Sequence, residues 1–302
     1  MGVKIKMVSV AHSGNSIFGK NSISLSARSA KQCLEDAGLD PCDLGLIINT
    51  GIYRYRNTGE PAIAAIIQEK ISKKRNNKDD QYNNRSTFSF DLINGACGLL
   101  SGIEIVDGLI KSGEISHGMV VTGDSEPFPG LSGGFSFNSA AAAIILSRSD
   151  DNKGFCRFRT YNYPEYSDEF TSSTQFERRG TGRKGKNVLN IIQKASYAGY
   201  CIDCAVRSLL DFYDESGIKP DEIHLILPSQ SPRGFAGMMK ERTGMGDNFI
   251  ELPDKGKKVL HSAGPLFALK KVWDDNRFRN SANIIFLTVG SGISVSITLY
   301  KN

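Results

Sequence analysis

The feature that most constrains the fold is a helix-to-strand boundary written twice. Gly38-Leu39-Asp40-Pro41-Cys42-Asp43-Leu44-Gly45-Leu46-Ile47-Ile48 and Gly217-Ile218-Lys219-Pro220-Asp221-Glu222-Ile223-His224-Leu225-Ile226-Leu227 share one order: Gly, apolar, any, Pro, any, acid, apolar, any, Leu, Ile, apolar. In each copy glycine can take the left-handed position that ends a helix, proline blocks its continuation, and the apolar run begins a strand. A second correspondence follows in the same order. Residues 118–124 with 140–146 read as a strand pair in the first copy, and residues 283–290 with 295–300 read as one in the second. Two matches in register imply two halves of similar α/β topology, residues 1–160 and 161–302, each a sheet with helices on its faces.

Composition narrows the class. With 302 residues and 40% apolar side chains the chain can bury a full core without staples. Its six cysteines are scattered through apolar segments, unlike a secreted disulfide scaffold. No window is apolar for long enough to cross a membrane, and MGVKIKMVSV alternates like a strand, so a cytoplasmic protein with no membrane partner is expected. The net charge of +5 is modest and fits an acidic partner better than a basic one; no nucleic-acid partner is expected. Cys201 and Cys204 fall in YAGYCIDCAVRSLLDFYDESG, which reads as an amphipathic helix, and without a second Cys/His pair core packing outweighs a metal site. VSVAHSGN lacks the glycines of a dinucleotide fingerprint. The polar stretch from Pro164 to Lys186 reads as a long mobile loop between the halves, and Ser72 to Arg85 as a solvated loop.

The chemistry-bearing segment is FSFDLINGACGLLSGIEIVDGLIKSG, Phe88 to Gly113. Phe88, Phe90, Leu92 and Ile93 suggest a buried strand, Asn94-Gly95-Ala96 a turn, and the apolar positions from Leu99 to Ile110 a helix. Cys97 therefore sits at a helix start, where free N–H groups and the helix dipole favour a thiolate, lower the thiol pKa and prepare a nucleophile. A buried, inert cysteine among small residues is the plain alternative. Of the histidines, His12 ends the first strand, His117 sits in a polar turn, His224 alternates on a strand, and His261 opens a packed turn before a helix.

With GMVVTGDSEP, ILPSQSPRGF, KVLHSAGPLFAL and FLTVGSGISVSITLY, the Cys97 segment forms an ordered set that spans nearly the whole chain. That set resembles the thiolase-like condensing enzymes, and within them the β-ketoacyl-acyl-carrier-protein synthase III branch. The resemblance implies a duplicated thiolase fold of five layers, α-β-α-β-α, and usually a homodimer; a heterodimer with a related ketosynthase is the alternative. It makes Cys97 the nucleophile and the backbone N–H groups of Cys97 and Ser291 an oxyanion hole. No metal or bound organic cofactor is implied.

This chain departs from the branch at Ser229, which stands where the branch holds a catalytic His. His261 stands at, or within one residue of, the branch's Asn; thiolases and elongating condensing enzymes hold a His there. The set is thus Cys97, Ser229 and His261, in which an imidazole near the thiol can draw off its proton. Losing the first His weakens the site that stabilises an enolate after decarboxylation.

Arg233, Lys240 and Arg242 lie near where the branch docks its acidic carrier protein. Arg178, Arg179, Arg183, Lys184 and Lys186 form a second basic cluster, and ordinary solvated charge is the plain reading of both. The branch's coenzyme A-gripping Trp and Arg have no counterpart, the one Trp being Trp273, so carrier-bound substrates are favoured over acyl-CoA. The expected function is an acyltransferase or ketosynthase-like enzyme. It would form an acyl thioester on Cys97 and pass the acyl group on by Claisen-type condensation in fatty-acid, polyketide or secondary metabolism. Transfer to O, N or S without decarboxylation, and a catalytically silent partner subunit, are the alternatives.

Overall fold

The structure, a computed structural model, describes residues 2–13, 20–72, 87–128, 130–178, 185–253 and 258–302. The expected solvated loop from Ser72 lies outside these from residue 73 onward. The first half runs β1 (Gly2–His12), α1 (Ser22–Ala37), β2 (Leu46–Asn49), α2 (Ile63–Ser72), β3 (Phe88–Asp91), α3 (Gly98–Lys111), β4 (His117–Asp124) and β5 (Ala140–Ser149). Then follow β6 (Gly154–Asn162), β7 (Phe170–Arg178), β8 (Gly185–Gln193), α4 (Tyr197–Ser216), β9 (Leu225–Pro228), α5 (Phe235–Thr243), α6 (Gly264–Asp274), β10 (Asn283–Gly290) and β11 (Ser294–Lys301).

The duplicated boundary is duplicated in its hydrogen bonds. Gly38 and Gly217 both take left-handed φ angles, 66° and 68°, and cap α1 and α4. Pro41 and Pro220 each open a single 3-10 turn. The shared acid then closes it: Asp43 accepts the Asp40 N–H at 2.7 Å, and Glu222 accepts the Lys219 N–H at 2.8 Å. The motif therefore serves as a stop and a redirect, feeding β2 and β9 into the sheet.

The main sheet runs β3-β2-β4-β5-β1-β6-β11-β10-β9. Its two arms are mirror sequences of the same pairing: β2–β4 and β9–β10 are parallel, β4–β5 and β10–β11 antiparallel. Among the described residues, the second arm has four strands where the first has five. Beside β9, Phe249 makes a lone parallel bridge to Ile226. The arms meet at one residue pair, Val3 with Gly154, where a Cβ on Gly154 would lie 2.0 Å from the Val3 carbonyl oxygen. Only glycine fits that approach.

Strand residues alternate between two cores, as expected when both sheet faces are covered. Leu46, Ile48, Val120, Ile144, Leu227 and Phe286 point into a central layer with α3 and α6. Ile47, Met119, Val121 and Ile145 point outward to α1 and α2, and Ile226, Ile285, Leu287 and Ile297 to α4 and α5. The layers are α-β-α-β-α, with α3 and α6 in the middle.

Two expectations are corrected. Residues 164–178 with 185–193 are not a mobile loop: β7 and β8 pair antiparallel from Phe170–Gln193 to Arg178–Gly185. The ribbon is rooted by buried Phe170, Val188 and Leu189, and by backbone bonds from Gly133 and Ile191. The strand before Cys97 is not buried but is the edge strand of the sheet, with Phe88 64% exposed.

Candidate active site

Cys97 is the N-cap residue of α3, in a sharp turn after β3, and is fully buried. Its Sγ points at the facing half: it lies 3.3 Å from the Ser294 carbonyl oxygen and 3.7 Å from that of Thr288. The expectation of a lowered thiol pKa fails. Burial pushes the Cys97 thiol up, and hydrogen bonds with Thr288 and Ser296 only partly offset this. The helix terminus alone does not make a thiolate here; a base is needed.

The Gly290-Ser291-Gly292 turn between β10 and β11 closes over the cysteine. A Cβ on Gly290 would lie 3.4 Å from Cys97 Sγ and 3.6 Å from its N, and one on Gly95 would lie 3.7 Å from Ser291 N. The two turns are thus in van der Waals contact, and both main-chain donors named from the sequence belong to this contact. A Cβ on Gly290 would meet the thiol at ordinary van der Waals distance, so this turn packs directly against Cys97.

Ser229 and His261 occupy neighbouring turns. Ser229 follows β9, is 1% exposed, donates its N–H to the Leu287 carbonyl at 2.8 Å and accepts the Val289 N–H on Oγ at 3.0 Å. His261 precedes α6. Its ring packs against Phe137 and Tyr53 at centroid distances of 4.6 and 5.0 Å, and its Nδ1 lies 3.3 Å from Asp124 Oδ2. Burial works to raise the Asp124 pKa, yet the adjacent His261 and Ser262 outweigh it and pull the carboxyl to about 2.

Sequence reasoning missed Asp124, Tyr53, Phe137 and Tyr197. Asp124 carried a readable signal: a charged residue ending an apolar strand, where sites in α/β sheets gather. The aromatics carried none. Tyr197, pushed up in pKa by burial first and also by Cys201, Cys97 and Tyr53, packs on Phe170 at a centroid distance of 5.2 Å.

A cavity of ≈ 440 Å³ opens beside these turns, lined among others by Gln230, Arg233, Phe235, Lys258, Leu260 and Phe267. It reaches the neighbours of Ser229 and His261, and Cys97 is not in its lining. Of the basic candidates, Arg233 faces this cavity, while Lys240 pairs with Glu251 at 3.3 Å and Arg242 with Asp203 at 2.8 Å. Arg178 and Lys186 sit exposed on the hairpin; Arg179, Arg183 and Lys184 lie outside the described residues. His117 opens β4 and bonds Ser147 at 2.7 Å instead of sitting in a turn, and exposed His224 precedes β9 instead of alternating along it. Cys201 and Cys204 are core residues of α4.

Two layers of sheet between three of helix, duplicated, with a cysteine at the start of a central helix, define the thiolase fold, and comparison with known proteins agrees. No profile of a known protein family matches the chain. The β-ketoacyl-[acyl-carrier-protein] synthase III of Aquifex aeolicus is 20% identical over 287 residues, 92% of this chain and 83% of that protein. The synthase III of Clostridium beijerinckii is 21% identical over 299 residues, 94% and 85% of the two chains. Among solved structures, the Aquifex aeolicus synthase III superposes with a TM-score of 0.76 at 17% identity, covering 100% of both chains. A variant of Xanthomonas campestris OleA gives 0.79 at 15%, covering 100% and 99%. The resemblance read from the sequence is borne out: along its whole length the chain is similar to the thiolase-like condensing enzymes, and to their synthase III-like branch.

Proposed function

We propose that this protein is a condensing-enzyme-like acyltransferase that carries an acyl group on Cys97. The observation that carries this reading is the contact of the Cys97 turn with the Gly290-Ser291 turn, beside a histidine held by a buried carboxylate. His261 takes the thiol proton, and the thiolate attacks the carbonyl carbon of an acyl thioester. The oxyanion that forms is held by the N–H groups of Cys97 and Ser291. The carbon–sulfur bond to the donor breaks, and the departing thiolate recovers the proton from His261. An acyl thioester of carrier protein or coenzyme A is the donor class, and Arg233 at the cavity wall is the residue best placed to meet an anionic carrier.

For the second half-reaction, Claisen-type condensation is one reading. Transfer to an oxygen, nitrogen or sulfur nucleophile without decarboxylation is the other, and Ser229 favours it: its oxygen is buried and engaged by the Val289 N–H, where the synthase III branch presents an imidazole. Intact-mass measurement after exposure to acyl thioesters tests the shared first step. A single acyl adduct on the native protein and none on Cys97→Ala is expected; no adduct with any chain length points to a silent partner subunit. Supplying malonyl-carrier protein to the acylated enzyme then separates the two readings, carbon dioxide and an extended chain marking condensation.

A further inference from the structure

We propose that Asp124 is the positioning residue for His261: it holds the imidazole in the tautomer that carries hydrogen on Nδ1, so that Nε2 stands bare to take the Cys97 proton. The inference rests on the acyl-transfer reading above, and adds to it the group that makes the histidine a base.

Asp124 ends β4 and is 2% exposed. A carboxylate so buried survives only if its lone pairs are met. Oδ1 accepts the N–H groups of Ile52 and Tyr53 at 2.9 and 2.8 Å; Oδ2 accepts the Ser262 N–H at 3.1 Å and the Ser262 hydroxyl in a very short bond. Thr122, two residues earlier on the same strand, donates its hydroxyl to Ser262 Oγ at 2.5 Å, which directs the Ser262 proton to Asp124. Five donors on one carboxylate, counting His261, fix it from two segments: the turn after β2 and the turn before α6.

An ionised carboxylate can only accept. The hydrogen between Asp124 Oδ2 and His261 Nδ1 must therefore belong to the imidazole, and the lone pair is left on Nε2. Tyr53 and Phe137 pack against the ring and keep it from turning over. Around the ring, Asp124 faces it from β4 and the Tyr53 phenol from the segment after β2; Phe137, from the segment before β5, brings no charge. Tyr53 does not compete as an anion, because burial and Asp124 push its ionisation up. When Nε2 takes the thiol proton, the imidazolium forms against a fixed negative charge and the thiolate becomes free to attack. Because burial raises the Cys97 thiol, this support is what allows reaction at neutral pH.

The test follows the rate of iodoacetamide alkylation at Cys97, by peptide mass, from about pH 6 to about pH 10. Asp124→Asn and His261→Ala are both expected to be slower at neutral pH by roughly a hundredfold and to recover as hydroxide takes over the thiol proton. A role confined to stability would lower the rate equally at every pH, and would overturn the proposal. A slow His261→Ala with a wild-type Asp124→Asn rejects Asp124 and leaves the acyl-transfer reading standing; a wild-type His261→Ala rejects the base itself. If Asp124→Asn does not fold, nitrogen-15 spectra of the native protein decide. The His261 ring signals, assigned by their loss in His261→Gln, are expected to show hydrogen on Nδ1, and hydrogen on Nε2 overturns the assignment.

Discussion

At the scale of single residues, the site sets two buried ionisable groups in opposition. Cys97 is held neutral by burial, while Asp124, equally buried, is held charged by its donors. The second has a consequence for stability. The folded pKa of Asp124, about 2, lies below the 3.8 usual for an exposed aspartate. The folded form therefore binds the proton less readily than the unfolded form, and the stabilisation is fully present above the unfolded value. It is lost as pH falls through the window from about 4 to about 2, and amounts to roughly 2 kcal/mol. Urea unfolding of wild type and Asp124→Asn should show a difference at neutral pH that shrinks across this acid window; a constant difference would remove the charge from the account. The position of Cys97 was readable because a turn and a helix start are local patterns. The direction of its pKa was not, because Thr288, Ser294 and Ser296 bury it from almost two hundred residues away.

Among the elements, the duplicated boundary is the part most fully legible, since each of its residues acts on neighbours within a few positions. Gly38 and Gly217 have left-handed φ angles, and a Cβ on either would meet no atom within 4 Å, so a substitution there tests backbone conformation alone. Gly38→Ala and Gly217→Ala should each cost about 1 kcal/mol, and by similar amounts. Chemical denaturation measures this; a neutral effect at one site would mean that the two caps are not equivalent. The β7–β8 ribbon was hidden for the opposite reason. FTSSTQFER has the polarity of a loop, and the ribbon buries side chains only at its root, so no alternating apolar face announces it. The short bridge that flanks β9 was equally hidden, for Asn248 to Ile250 pair with Ile226 too briefly to leave a pattern.

For the whole molecule, β3 leaves one edge of the nine-stranded sheet unpaired among the described residues, flanked by Phe88 at 64% and Ile93 at 65% exposed. Apolar side chains on an open edge are a pairing surface, and the homodimer that the family resemblance implies is expected to pair a second copy there. Sedimentation should show a dimer for the wild type and a monomer for the double substitution Phe88→Glu, Ile93→Glu. A monomeric wild type at concentrations of about 10 µM, in the range where stable dimers persist, would set this edge aside. What the sequence determined by itself is the repeated topology and the places of the four candidate turns, those of Cys97, Ser229, His261 and Gly290-Ser291-Gly292, because caps, breakers and apolar periods act over short stretches of chain. Tertiary structure alone decided what those turns do to one another. The Gly290-Ser291 turn closes over Cys97, the thiol is buried, and Asp124 from one half clasps His261 from the other. These are contacts across the central layer between residues far apart in sequence, and burial and charge take their size from such contacts rather than from local order.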